Sequence, residues 1–289
     1  KGAVSLMICK IANELINFKL LNHSILLNSL KKYEVSNHEY NFSMIVNEVE
    51  NIDIYGQLTK RTKFYDIFSY NDKTIQYQKN DKTGVYYASI IYDMKETIIN
   101  ILKDDVNVMA NQEYLLTQYV FPWFIMKKHQ AIWMHGSSIC YNNQAILFSA
   151  ASGVGKSTHT RLWKQYVPGV EYINDDKNII IFENNEMTLY GNPWSGKHQI
   201  DNNIKAPLAA IVFLHQSKDN EISKISKKEA FFKILKQVIQ PFDKESSNEW
   251  NNMTDELLKI PTYELGCNIS SEAVMLVKNI LEDFNNENK

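Results

Sequence analysis

Cysteine is scarce in this chain. Cys9, Cys140 and Cys267 are the three in 289 residues. Their number is odd, their spacing is wide and no CxxC pair occurs. That argues against a disulfide framework or a cysteine-built zinc site and points to a reducing, cytoplasmic compartment. Arginine is scarcer still, with Arg61 and Arg161 the two in the sequence. Basic residues total 31 against 33 acidic ones, a formal net charge of −2. The clustered positive charge that nucleic-acid binding demands is missing. No apolar run reaches the roughly 18 residues of a membrane span; "YLLTQYVFPWFIM" comes nearest and is too short and too polar. What remains is 44% hydrophobic and 12% aromatic, enough to build a full core in one large domain or two ordinary ones.

The chain changes character near residue 108. Before it, "YNFSMIVNEV", "KFYDIFSY", "TIQYQKN" and "GVYYASIIYDM" are rich in Tyr, Ile, Val and Phe, and "NDK" and "NDKTG" punctuate them. This pattern of short strands and polar turns predicts a smaller, antiparallel, β-rich domain over 1–108. Residues 111–128, "NQEYLLTQYVFPWFIMKK", read as an apolar helix with a kink or break at Pro122. From Ala131 onward, continuously apolar segments alternate with helical ones. "AILFS" runs into "KSTHTRLWKQ", and "PLAAIVFLH" is a buried strand opened by Pro207. "SKKEAFFKILKQVIQ" begins with a capping box of Ser226 and Glu229 and stops before Pro241. Positions 273, 274, 277, 280, 281 and 284 are apolar at helical spacing. The second domain, 109–289, is therefore expected to be α/β (α+β).

Six of the ten glycines, at 136, 153, 155, 169, 191 and 196, fall within 136–196. Glycine is needed where backbone bends sharply or approaches a ligand, so chemistry is expected there. The same segment holds "AILFSAASGVGKSTHTRLW". Residues 150–157 match the phosphate-loop pattern G-x-x-x-x-G-K-[ST] except for Ala150 at the first position. In such a loop, successive N–H groups surround an anion and the following helix adds its positive end. Lys156 is placed to reach β- and γ-phosphates and Ser157 to ligate Mg²⁺.

Three further pieces flank the loop. In "VEYINDDKNIIIF" an apolar strand ends at Asn174, and Asp175 and Asp176 follow. One carboxylate can hold metal while the other takes a proton from an attacking hydroxyl; a plain polar turn is the competing reading. In "WMHGSSI", His135 precedes a glycine, a position that taken alone reads as structural. In "YGNPWSGKHQ", Lys197 could neutralise a transferring phosphoryl group or stand on an ordinary surface loop.

Taken in order, these pieces resemble the catalytic domain of HPr kinase/phosphorylase and its structural relatives, the ATP-dependent phosphoenolpyruvate carboxykinases. The resemblance runs from about His135 to about Asn220. "MHGSSI" and "AILFSAASGVGKST" are its most specific parts, while "INDDK", "GNPWSGK" and "PLAAIVFL" look like signatures of HPr-kinase-like proteins of anaerobic Gram-positive bacteria. The resemblance implies a P-loop kinase domain on a mixed sheet. It implies that Ser152, Gly153, Val154, Gly155, Lys156, Ser157 and Thr158 hold the phosphates of ATP and that Ser157 and Asp176 bind Mg²⁺. Asp175 would be the catalytic base, with His135 beside the phosphoryl centre and Lys197 facing the transferred group. Homo-oligomers are also implied, although no heptad in the chain shows them. The acidic-glycine C-terminal motif of HPr kinases and the oxaloacetate-binding arginines of carboxykinases are absent. Some relatives phosphorylate a serine of the precursors of ribosomally made, modified peptides, including lasso peptides.

The expected function is an ATP- and Mg²⁺-dependent kinase acting on a hydroxyl. A peptide serine is the first choice of acceptor and a free small molecule the second. The N-terminal domain is expected to select the acceptor. A nucleotide-gated peptide-binding module without turnover is the alternative, and phosphorolysis on the same fold stays open. Neither nucleic acid nor a membrane is expected as a partner.

Overall fold

The computed structural model describes residues 4–21, 26–36, 39–103, 107–242 and 244–287. The chain forms two compact units, 1–124 and 125–289, that part between Phe124 and Ile125.

The described residues of the first unit hold eight strands: β1 (Val4–Ile11), β2 (Glu14–Leu21), β3 (Phe42–Val49), β4 (Gln57–Arg61), β5 (Tyr65–Tyr70), β6 (Lys73–Lys79), β7 (Tyr86–Tyr92) and β8 (Glu96–Leu102). They make one sheet in the order β1-β2-β3-β8-β7-β6-β5-β4. The sheet is mixed, which corrects the antiparallel expectation: β3 runs parallel to both β2 and β8. The reason lies in the connections. A helical link, with α1 (Leu26–Leu30) and a 3-10 turn (Lys31–Tyr33), lies between β2 and β3, and only a crossover of this kind lets consecutive strands run parallel. After β3 the chain moves to the far edge of the sheet, and four antiparallel steps bring β8 back beside β3.

The helix expected over 111–128 is longer and is not broken. It comprises α2 (Val108–Leu115), a π turn (Leu116–Val120) and α3 (Phe121–Lys128). Pro122 sits in the first turn of α3, just after the π turn. Here Phe121 N–H bonds to Leu116 C=O, five residues back, and the wider register absorbs the proline's missing donor. The helical segment is tied to the first sheet. Gln112 Oε1 accepts from Leu21 N–H at 3.0 Å, Phe124 stacks on Phe42 at 3.8 Å and Trp123 meets Tyr92 at 4.8 Å. These contacts keep the segment up to Phe124 with the first unit, beyond the change of composition near residue 108.

The second unit holds nine strands among the described residues: β9 (Ala131–His135), β10 (Ser137–Tyr141), β11 (Gln144–Ser149), β12 (Glu171–Asn174), β13 (Lys177–Glu183), β14 (Glu186–Tyr190), β15 (Lys205–Gln216), β16 (Glu221–Lys224) and β17 (Thr262–Cys267). The order is β12-β10-β11-β15-β14-β13-β9, with β17 also on β15 and β16 on β17. β11, β15 and β17 run parallel and the other pairings are antiparallel. The helices are α4 (Lys156–Tyr166), α5 (Lys227–Leu235), α6 (Lys244–Leu257) and α7 (Ser271–Glu287).

β11 is apolar from Ala145 to Phe148 because both its faces are buried there. Ala145 and Leu147 join a core with Ala230 and Ile234 of α5 and Met253 and Leu257 of α6. Ile146 and Phe148 join one with Leu162 and Trp163 of α4 and Val274 and Val277 of α7. The chain's many asparagines find a use in the hairpins. Asn71-Asp72, Asn142-Asn143 and Asn184-Asn185 are two-residue turns with positive φ at both positions, between 47° and 64°. That geometry matches the twist of the flanking strands and favours Asn and Asp among residues that carry a side chain. Among the described residues no helix is long and apolar enough to cross a membrane.

Candidate active site

β11 delivers the chain to the loop 150–155 and α4 carries it away. Gly153 (φ +81°) and Gly155 (φ +120°) have angles that L side chains rarely adopt, with nothing within 4 Å of where a Cβ would stand. Glycine is required here by the backbone, not by crowding. Gly155 is the residue before α4 and makes no side-chain cap, and an uncapped helix N-terminus of this kind is one that can bind an anion. Lys156 is buried, and its Nζ donates to the carbonyls of Ala150 at 3.0 Å and Ala151 at 3.3 Å. Burial pushes its ammonium below the usual lysine range, and Asp176 and Asp175 pull it back up.

The two aspartates sit at the turn between β12 and β13, and their surroundings differ. Asp175 is buried and accepts the Ser137 hydroxyl on Oδ1 at 2.6 Å. Asp176 Oδ1 lies 3.2 Å from His135 Nδ1 and its Oδ2 lies 3.1 Å from Lys177 Nζ. Burial alone would raise the Asp176 carboxyl. The hydrogen bond from His135 and the charge of Lys177 outweigh it and hold the group below the ordinary carboxylate value. His135 Nδ1 also lies 2.9 Å from the backbone carbonyl of Asp176. A carbonyl can only accept, so Nδ1 carries a proton.

A buried amide and hydroxyl network fixes this turn. Asn174 Oδ1 accepts from the N–H groups of Asp176 at 2.9 Å and Lys177 at 2.8 Å, as Asn does in turns. Asn178 Oδ1 accepts from Ser138 Oγ at 2.5 Å, and its Nδ2 donates to the Gly136 carbonyl at 2.8 Å. Asn192 ties in the loop 191–201, donating to the Lys177 carbonyl at 2.7 Å while its own carbonyl accepts from Asn174 Nδ2 at 2.9 Å. The loop is closed on itself by Ser195 Oγ on Asp201 Oδ2 at 2.6 Å. Gly196 (φ +68°) lies against the turn, since a Cβ there would come 2.9 Å from Asp176 Cβ.

One cleft of about 570 Å³ gathers most of the predicted residues: His135, Ser152, Gly153, Gly155, Lys156, Ser157, Thr158, Asp175 and Asp176. Val154 does not line it. It packs against the core that holds Leu162 and lines a neighbouring cavity of about 410 Å³. Lys197 has its backbone in a 3-10 turn (Gly196–His198); its side chain lies outside the described residues. Arg161, Ser195 and His198 also line the cleft and carried no sequence signal. Ser137, Asn178 and Asn192 were missed because they bond to partners distant in sequence, and Asn174 because its bonds to Asp176 and Lys177 are those of an ordinary turn. Ser157 and Asp176 offer hard oxygen donors in one cleft, a set that suits Mg²⁺, which takes one or two protein oxygens beside phosphate and water. Among the described residues no group of three or more His, Cys, Asp or Glu could hold a metal ion.

No family model matches the chain, and no curated protein matches it. Among solved structures it is similar to the HPr(Ser) kinase/phosphatase from Coxiella burnetii, at 9% identity and a TM-score of 0.33, over 54% of this chain and 96% of that one.

Proposed function

We propose that this cleft is the active site of an ATP- and Mg²⁺-dependent kinase that transfers the γ-phosphoryl group to a hydroxyl. One observation carries the reading. A glycine-shaped loop at a helix N-terminus, its lysine and two carboxylates in different environments converge on one cleft. A bland turn needs none of these.

Ser157 and Asp176 would hold the Mg²⁺ that, when bound, draws charge off the phosphoryl oxygens. Lys156 exchanges the Ala150 and Ala151 carbonyls for phosphate oxygens. The partner-rich Asp176 is committed to cations. Asp175, with Oδ1 occupied by Ser137, has Oδ2 for the acceptor. As the acceptor oxygen bonds to the γ-phosphorus and the bond to the ADP oxygen breaks, Asp175 takes the hydroxyl proton. The first-turn N–H groups of α4 stabilise the charge that develops. A peptide serine is the acceptor class that the family resemblance supports.

The test is transfer of γ-labelled phosphate from ATP to serine-containing peptides, with Lys156→Ala and Asp175→Asn alongside. Label on a peptide with the wild type alone is the expected result. Equal ATP binding by wild type and Asp175→Asn without transfer would replace the kinase by a nucleotide-gated binding module. No ATP binding by the wild type would overturn the reading altogether.

A further inference from the structure

The proposed base is held by hydroxyls from two other elements. Ser137, at the start of β10, is fully buried and donates to Asp175 Oδ1 at 2.6 Å. Its oxygen also lies 2.9 Å from Thr160 Oγ1. A hydroxyl has one proton. That of Ser137 is spent on Asp175, so Thr160 must be the donor in the second contact. Thr160 is 1% exposed and stands on α4, one turn beyond Lys156 and Ser157. The hydrogen bonds therefore run in one direction, from Thr160 to Ser137 to Asp175, and join the phosphate-loop helix to the carboxylate. The alternative acceptors of Thr160, the carbonyls of Lys156 at 3.4 Å and Ser157 at 3.3 Å, are more distant.

We infer that Ser137 is a positioning residue for the proposed phosphoryl transfer. It orients Asp175 so that Oδ2 meets the acceptor, and Thr160 sets the direction of its hydroxyl. The inference rests on the kinase reading above. It adds that the base is aligned through a hydroxyl of the helix that follows the glycine loop, so that the placements of phosphate and base are linked by hydrogen bonds. Buried chains of this kind fix a geometry because each partner would otherwise be left unpaired.

The test uses the full chain and measures kcat and KM for ATP, by peptide transfer or by hydrolysis to water, in Ser137→Ala, Ser137→Thr, Thr160→Val and the Ser137→Ala/Thr160→Val double variant. Ser137→Ala is expected to lower kcat on the order of 10- to 100-fold, with KM for ATP within about twofold, since its partner touches the acceptor side. Ser137→Thr, which keeps the hydroxyl, should recover most of kcat. Thr160→Val should cost several-fold alone and add little to Ser137→Ala, because it acts through Ser137. Unchanged kcat in Ser137→Ala, no recovery in Ser137→Thr, or a rise in KM matching the fall in kcat would overturn the inference. Asp175→Asn in the same assay separates the two levels. If it is inactive while Ser137→Ala is normal, only the positioning role fails. If it turns over like the wild type, or if the wild type neither transfers nor hydrolyses, the kinase reading fails and takes this role with it.

Discussion

The helix that follows the glycine loop 150–155, α4, contains a titratable group whose burial can be tested by pH. His159 is 2% exposed. Its Nε2 accepts from the Trp163 indole N–H at 3.3 Å and its ring meets Phe148 edge-on at 4.7 Å. Burial pushes its pKa down from 6.5 to about 4. A depressed histidine favours the folded state while neutral. The unfolded chain binds the proton first as pH falls, so stability is complete above the unfolded pKa of 6.5 and is lost between there and about 4. The linkage relation with these two values gives a loss of about 2 kcal/mol by pH 5 and about 3 kcal/mol by pH 4 from this one group. The assay is urea unfolding from pH 7 to 4 followed by tryptophan fluorescence. Trp133, Trp163, Trp194 and Trp250 lie in 125–289 against Trp123 alone in 1–124, so the signal reports mainly the second unit. His159→Gln keeps an acceptor for Trp163 and removes the titration. The stability of the wild type minus that of the variant, not either absolute value, should fall by about 2 kcal/mol between pH 7 and 5. Parallel curves would mean that His159 titrates as it does in the unfolded chain and that the packing of α4 on β11 is not as described.

Three other outcomes follow from the same geometry. Gly155→Ala meets no neighbour, so its cost is backbone strain alone, about 1–3 kcal/mol; unfolding should show it together with weaker ATP binding, and an unchanged midpoint would refute the loop conformation. Asn178→Ala takes the 2.5 Å acceptor from Ser138 Oγ, which keeps the Asn174 N–H, and a donor from the Gly136 carbonyl in a fully buried site, and should cost on the order of 2 kcal/mol by urea unfolding; a loss under about 1 kcal/mol would count against the network. In the first unit, Asp66 is 2% exposed and bonds Lys79 Nζ at 2.8 Å and Tyr86 Oη at 2.6 Å. Lys79→Met leaves that carboxylate with Tyr86 and the more distant Arg61, at 3.5 Å, and should destabilise the unit by about 1–3 kcal/mol, which far-ultraviolet circular dichroism during urea titration would register.

The parts of the molecule that could be read from the sequence are those whose physics is local. The strand, the glycine loop and the helix around residues 150–157 are contiguous in the chain, and the proposed phosphate loop is read from that stretch alone. The capping box is formed, with Glu229 N–H on Ser226 Oγ at 3.3 Å and the Glu229 carboxylate on Ser226 N–H at 2.9 Å. The apolar stripe of α7 does bury Ala273, Val274, Val277 and Leu281. α6 was not legible because "KESSNEWNNMTDEL" is polar and presents only Trp250, Met253 and Leu257 as large apolar side chains. It is a helix because of the core it meets, not because of its own pattern. The parallel pairing of β3 with β8 was not legible either, since no local feature distinguishes a strand with parallel neighbours from one in a hairpin.

The site divides in the same way. Lys156, Ser157, Asp175 and Asp176 are legible because their spacing along the chain is itself the signal. Ser137, Ser138, Asn174 and Asn178 are residue types that sequence reading assigns to turns and surfaces. What makes them structural here is register. Ser138 stands opposite Asn174 where β10 pairs with β12, and its hydroxyl receives the Asn174 N–H at 3.1 Å and donates to Asn178 at 2.5 Å. A buried polar atom must be paired, so once that register is known each of these partners follows with little freedom. Without it, a serine 36 positions upstream of an asparagine carries no information. The carboxylates of the proposed site can therefore be found from the sequence alone, whereas the hydroxyls and amides that bond them and their turn emerge only from the pairing of strands.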